Sequence, residues 1–350
     1  MFCSRRKLLQ DASALAGMVA TATLVGCDRE RREALATTTK AALPTPTGPE
    51  PAYMALARSG ELEVRERKLF ALYEKCTLCP RKCEVNRLAG ENDVCRATDK
   101  LRAATAAAHF GEEQQLVGRR GSGTIFFSHC NLRCCFCQNW ELAHRGDGQD
   151  IEHRALANAM LALQARGCHN VNLVTPSHMV PHIVRALRIA IADGLRLPLV
   201  YNTGGYDALA TIELLDGVVD IYMPDFKFQD GKHAHKYCAE AQDYPEAAAA
   251  AIKEMHRQVG VLQMDAEGLA TRGVLLRHLV MPDNLAGTDR FVQWVAAELS
   301  PDTHVNLMGQ YRPEHEAHKY PELSRRLTTE EREQAFAWAV GAGLKKVEPV

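Results

Sequence analysis

Three cysteines, Cys130, Cys134 and Cys137, follow directly on the apolar run Thr124 to Ser128. Thiolates are soft donors that favour iron, copper and zinc. Metal-ligating cysteines gather at spacings of two to four residues, whereas disulfide cysteines are spread to staple distant segments. The C-x3-C-x2-C run therefore reads as a metal or cluster site. It supplies three thiolates and no fourth nearby, while a structural zinc or an electron-transfer cluster takes four protein ligands. Either one coordination position is left for another molecule, or His129 or His144 completes a zinc knuckle. Cys135 reads as an incidental packed thiol, because a frame built on it gives a C-x4-C-x-C spacing that matches no known cluster motif.

A second set lies upstream. Cys76, Cys79, Cys83 and Cys95 form C-x2-C-x3-C-x11-C and supply four thiolates, enough to close a site around an iron–sulfur cluster or a zinc ion. Pro80 and Gly90 provide turns between them, and Arg81-Lys82 would offset thiolate charge. Eight of the twelve cysteines are thus accounted for, and Cys3, Cys168 and Cys238 read as isolated thiols with no metal role.

The elements that must position these thiols follow from periodicity. Short apolar runs at Thr124 to Ser128, Val171 to Val174, Leu197 to Tyr201, Val218 to Met223, Gly273 to Val280 and His304 to Met308 predict strands. Amphipathic helical stretches alternate with them near His153 to Arg166, Met179 to Ala192, Asp207 to Leu215, Pro245 to Val259, Thr288 to Leu299 and Thr329 to Val340. Strands alternating with helices indicate parallel βαβ units with right-handed crossovers. Six units suggest an α/β fold of the partial (β/α)6 TIM-type barrel kind, although a doubly wound sheet gives the same periodicity. The central cysteines would then sit at the end of the first barrel strand, the edge on which such folds build active sites.

Residues 52–118 read as a small helical and cysteine-rich module, and 119–350 as the core domain. Segment 28–51, with its charge run and Pro/Thr-rich tail, reads as a flexible linker. The first 27 residues carry Arg5-Arg6, an uncharged stretch Ala12 to Val25, and Leu24-Val25-Gly26-Cys27. This pattern predicts a twin-arginine export signal with Cys27 as a lipid anchor. A cytoplasmic protein with a fortuitous leader is the alternative. Lys and Arg (42) nearly cancel Asp and Glu (43), so the basic excess expected of a nucleic-acid binder is missing and no nucleic-acid partner is expected.

Longer motifs surround the cysteines: Cys76 to Arg87, Gln138-Asn139-Trp140, Tyr201 to Asp207 and Asp220 to Lys227. With Phe136 giving the C-x3-C-x-aromatic-C form, the stretch from about Tyr53 to the C-terminus resembles the radical S-adenosylmethionine (SAM) superfamily. Within it, the chain is most similar to the pyruvate formate-lyase activating enzyme-like branch, in particular uncharacterised members with an upstream cysteine block. That resemblance implies a 4Fe-4S cluster on Cys130, Cys134 and Cys137, with SAM chelating the open iron. It implies reductive SAM cleavage to a 5′-deoxyadenosyl radical for hydrogen abstraction, with an external low-potential electron donor. In activating relatives the hydrogen comes from a backbone glycine of a partner protein. Radical modification of a peptide or small molecule, or a non-catalytic zinc or electron-carrier protein, are the competing readings.

The branch's Gly-Gly-Glu element is replaced by Thr175-Pro176-Ser177-His178, so the hydroxyls of Thr175 and Ser177 are candidates for holding the SAM amino group, with Ser177 as a helix N-cap the alternative. Asn202, Asp225 and Lys227 fall where the branch places polar contacts to SAM and the active site. Two residues apart on a strand, Asp225 and Lys227 face the same side.

Overall fold

Among the described residues, seven strands run parallel and cross the sheet in chain order. They are β2 (Ser122–Phe127), β4 (Val171–Val174), β5 (Leu199–Thr203), β6 (Ile221–Pro224), β8 (Ala270–Leu279), β9 (His304–Met308) and β10 (Lys346–Glu348). Beyond β2 the sheet continues antiparallel through β1 (Arg102–His109) to the two-residue edge strand β3 (Gln149–Asp150), and β7 (Gln263–Met264) pairs only with β8. The computed structural model describes residues 48–348, all within a compact unit spanning 43–350. The leader and lipid-anchor cysteine Cys27 expected over 1–27, Cys3, and residues 28–47 of the expected linker lie outside the described residues.

The helices follow from their residues. In α4 (His153–Ala165), Leu156, Ala157, Met160 and Leu163 recur at helical spacing and are buried. α5 (Val180–Ala192) and α8 (Tyr244–Val259) each carry a proline in the first turn, where a missing N–H costs nothing. α10 (Thr329–Gly341) opens on a capping box between Thr328 and Glu331. The remaining helices are α1 (Tyr53–Ser59), α2 (Glu61–Ala71), α3 (Gln114–Val117), α6 (Leu209–Leu214), α7 (Gly231–Tyr237) and α9 (Thr288–Glu298). Strands β4, β5 and β6 are buried throughout, as strands of a parallel sheet covered on both faces must be.

Residues on the two sides of position 118 share one core: β1 pairs with β2, and Tyr53, Leu62, Leu69, Tyr73 and Leu78 pack in the same core as the sheet. The amide of Ala52 donates to Asp220 Oδ1 at 2.7 Å, and Tyr53 Oη donates to the Leu197 carbonyl at 2.8 Å, so the N-terminal helices are stitched to the far strands. The alanine-rich segment Arg102–His109 is a strand, because pairing with β2 overrides the helical preference of alanine.

Candidate functional site

The loop after β2 turns sharply. His129 and Arg133, the residues before Cys130 and Cys134, both adopt left-handed backbone (φ 74° and 48°), a conformation non-glycine residues keep only when their surroundings impose it. The surroundings are visible. Asn131 Nδ2 donates to the Tyr206 carbonyl at 2.6 Å, the Cys135 amide donates to the Tyr237 carbonyl at 2.8 Å, and the Cys135 carbonyl accepts from the Glu316 amide at 2.8 Å. Cys135 is buried and anchors the loop through its backbone, as a packed thiol would.

Cys130, Cys134 and Cys137 line a cavity of about 270 Å³ at the carboxyl ends of β2, β4, β5, β6, β8 and β9. Thr175, Asn202, Asp225 and Lys227 line it as well, together with Arg277, Gln310 and the apolar Phe126, Phe136, Leu279 and Met308. A larger cavity, about 530 Å³, lies at the opposite ends of the strands near Leu197, Asp220 and Ala270, and holds no cysteine of either set.

The polar wall is one connected network. Asp225 accepts from Lys227 Nζ at 2.7 Å and from Arg277 Nε at 2.8 Å, and Arg277 Nη2 donates to Asn202 Oδ1 at 2.8 Å. Arg277 Nη1 also lies 3.6 Å from carboxylate oxygens of both Glu112 and Glu113, and Glu113 accepts from Asn306 Nδ2 at 3.0 Å. Burial works to raise the Asp225 carboxyl, but Arg277 and Lys227 hold it below the usual carboxylate range. Lys227 is held charged against its own burial, chiefly by Asp225 and then by Cys134. Burial carries Glu112 up to about 7, with Arg277 opposing.

Thr175 reaches the cavity at the end of β4 with φ 59°, unusual for a β-branched residue, its amide donating to the Asn202 carbonyl at 2.9 Å. Ser177 does not reach it. Its hydroxyl is 3.2 Å from Thr203 Oγ1, in a buried group with Asp207 and Tyr201, and it is only 2% exposed. Ser177 is not the N-cap of α5 either, since that position belongs to Met179. Both readings of Ser177 are corrected: it braces the strand ends from behind. Of the two histidines considered as fourth ligands, His144 has Nε2 3.1 Å from the Cys134 carbonyl, while His129 lines the cavity and its buried Nδ1 has no hydrogen-bond partner among the described residues.

Sequence reasoning missed Cys238. Far along the chain, it lies fully buried with its Sγ 3.3 Å from that of Cys134, and the two are placed for an S–H···S contact. That contact leads the lowering of the Cys134 thiol, while burial raises those of Cys130 and Cys137. No spacing signal links it to the triplet. Glu112 and Glu113 beside Arg277, and Asn306, were likewise not selected. The upstream thiols Cys76, Cys79, Cys83 and Cys95 line a separate small cavity with Arg81, Arg87 and His178. Among the described residues, no three histidine, cysteine, aspartate or glutamate side chains stand at the spacing of a single ion's ligands.

No protein-family model matches the chain. Among solved structures, it is similar to one of TYW1 with a lysine-pyruvate adduct bound (10% identity, 66% of this chain and 75% of that one, TM-score 0.38). It is also similar to one of hexahistidine-tagged anSMEcpe with bound AdoMet (10% identity, 63% of this chain and 59% of that one, TM-score 0.37). A curated protein, the uncharacterized protein MJ0674 of Methanocaldococcus jannaschii, is 34% identical over 275 residues, covering 77% of this chain and 75% of its own length. On that likeness, the chain belongs to the same family as MJ0674.

Proposed function

We propose that the chain is a radical SAM iron–sulfur enzyme whose parallel sheet is a partial (β/α)6 barrel of the TIM type. The observation that carries this reading is the meeting of Cys130, Cys134 and Cys137 in one cavity with Thr175, Asn202, Asp225, Lys227 and Arg277. Strand order supports the barrel, because a doubly wound sheet reverses direction at a switch point and this sheet does not. The donor set fits: three thiols line one cavity, and cysteine thiolates are the donors that iron–sulfur clusters take. A 4Fe-4S cluster held by Cys130, Cys134 and Cys137 would supply the electron for reductive cleavage of SAM and the hydrogen abstraction that follows.

The chain's own residues bind, orient and exclude water. Cys130, Cys134 and Cys137 supply the thiolates, and the Lys227 ammonium offsets their charge. Asn202 and Asp225, fixed by Arg277, would present oxygens to SAM, with Thr175 beside them. Phe126, Phe136, Leu279 and Met308 keep solvent from the reacting atoms. The electron comes from an external low-potential donor. The resemblance to activating enzymes supports a glycine of a partner protein as hydrogen donor, with a peptide or small molecule the alternative substrate.

The test is anaerobic purification and iron loading, then SAM and dithionite with chromatographic detection of 5′-deoxyadenosine. Product is expected from the wild type and not from Cys134→Ala. An iron-bearing wild type that makes none, beside a known activating enzyme that does, would falsify the reading. Cys238 favours one second reading, a closed four-thiolate electron carrier built on Cys130, Cys134, Cys137 and Cys238. Cys238→Ala separates the two: it keeps iron and SAM cleavage in an open site, and it loses the cluster in a closed one.

A further inference from the structure

Arg87 poses a charge problem. Its guanidinium is 1% exposed, yet no carboxylate pairs with it among the described residues. Its partners are the Thr98 carbonyl (3.0 and 2.6 Å), the His178 carbonyl (2.8 Å) and the face of Tyr73, 3.9 Å from the ring centroid. Carbonyls satisfy its N–H groups but bring no negative charge, and an uncompensated buried cation is strongly unfavourable. The groups beside it that can carry negative charge are thiols: Arg87 lines one cavity with Cys76, Cys79, Cys83 and Cys95.

We infer that Cys76, Cys79, Cys83 and Cys95 form a second, closed four-thiolate metal centre, with Arg87 as its built-in counter-ion. Four thiolates keep a net negative charge around an oxidised iron–sulfur cluster, or around a zinc ion that draws them closer than they now stand, and that charge is what Arg87 lacks. Among the described residues, none of the four cysteines is committed to a disulfide. Lys82 and Glu84 on either side of Cys83, and Arg96 after Cys95, adopt left-handed backbone (φ 42°, 57° and 59°), so these thiols are aimed at the cost of local strain. His178 lines the same cavity, is 2% exposed, and has a buried Nδ1 without a hydrogen-bond partner among the described residues.

The centre has a task at the first site. Arg81, two residues after Cys79, donates from Nε to the Asn131 carbonyl at 3.0 Å, from Nη1 to that of Ala239 at 2.6 Å, and from Nη2 to that of Cys238 at 2.9 Å. His178, whose carbonyl Arg87 grips, places Nε2 2.7 Å from the Ser128 carbonyl. Metal binding upstream therefore braces the loop that carries Cys130 and the segment that carries Cys238.

A variant with Cys130, Cys134 and Cys137 all changed to alanine tests the second centre alone, whatever the fate of the radical SAM reading. Purified without oxygen and gel-filtered, it is expected to retain metal, with an all-sulfur shell in X-ray absorption; zinc or iron content then identifies the occupant. Arg87→Met is expected to weaken retention against a chelator at least tenfold, with Arg87→Lys in between. In wild-type protein, alkylation of the four upstream thiols should be slow until a chelator is added. A folded triple variant that binds neither metal, alkylation indifferent to chelator, or disulfides among the four in anaerobic protein would each overturn the inference.

Discussion

Arg277→Met would remove the cation on which the polar wall of the cavity converges. Asp225 would keep only Lys227, and Glu112 and Glu113 would lose their shared guanidinium. Breaking a buried ion pair by deleting one partner costs about 3–5 kcal/mol, and the side chains of Arg277 and Asp225 retain 15% and 13% exposure, which places the expected loss at about 3 kcal/mol. Its pH dependence has a definite sign. Asp225 is held below its usual range, so its contribution is present at neutral pH and is lost as pH falls through its folded value. Glu112, already raised to about 7, rises further without Arg277, so the variant suffers most above neutrality and recovers as its carboxyls protonate. Urea unfolding of wild type and variant at roughly pH 5.5, 7 and 8.5 should show a stability gap that widens with pH, with Arg277→Lys recovering charge but not the forked geometry. A gap under about 1 kcal/mol, or one flat across that range, would refute the network as described.

At Gly205, φ is 80° and an added Cβ would lie 2.3 Å from the Asp225 carbonyl oxygen, so Gly205→Ala should cost about 2 kcal/mol or more and depress SAM binding measured calorimetrically. Thr328→Ala removes one half of the capping box of α10 and should cost about 1 kcal/mol in urea unfolding while leaving metal content unchanged. Cys134 and Cys238 need only a small approach from 3.3 Å to reach disulfide length. Metal-free protein treated with a disulfide oxidant should therefore lose two hydrogens in a Cys134–Cys238 peptide pair, a product absent from Cys238→Ala; failure to find that pair would count against the contact.

The parts of the fold that were legible are those where chemistry repeats locally. The runs Val171–Val174 and His304–Met308 are strands residue for residue, since Val171, Leu173, Val174, Val305 and Leu307 are buried and outweigh the polar Asn172, His304 and Asn306 among them. β1 was not legible, because Ala103, Ala104, Ala106, Ala107 and Ala108 favour helix and only the partner strand makes them extended. At the site, the cysteine triplet and the Asp225–Lys227 pair were readable from spacing, and Thr175 from its strand-end position. Ser177 was misread because its position after β4 says nothing about which way the turn directs its hydroxyl. Cys238 and Glu112 reach the site through tertiary contacts that leave no periodic trace.

The stitching of the N-terminal helices to distant strands has a kinetic consequence. Ala52 is 168 residues from Asp220 in sequence, and Tyr53 is 144 from Leu197. At synthesis rates of about 5–20 residues per second, that separation corresponds to roughly 8–34 s between the emergence of one partner and the other. For that interval the upstream thiols are on a nascent chain whose scaffold has not been made. Whatever loads or shields them must therefore either act on the ribosome-bound chain or wait until β6 has been made and the N-terminal helices have closed onto it.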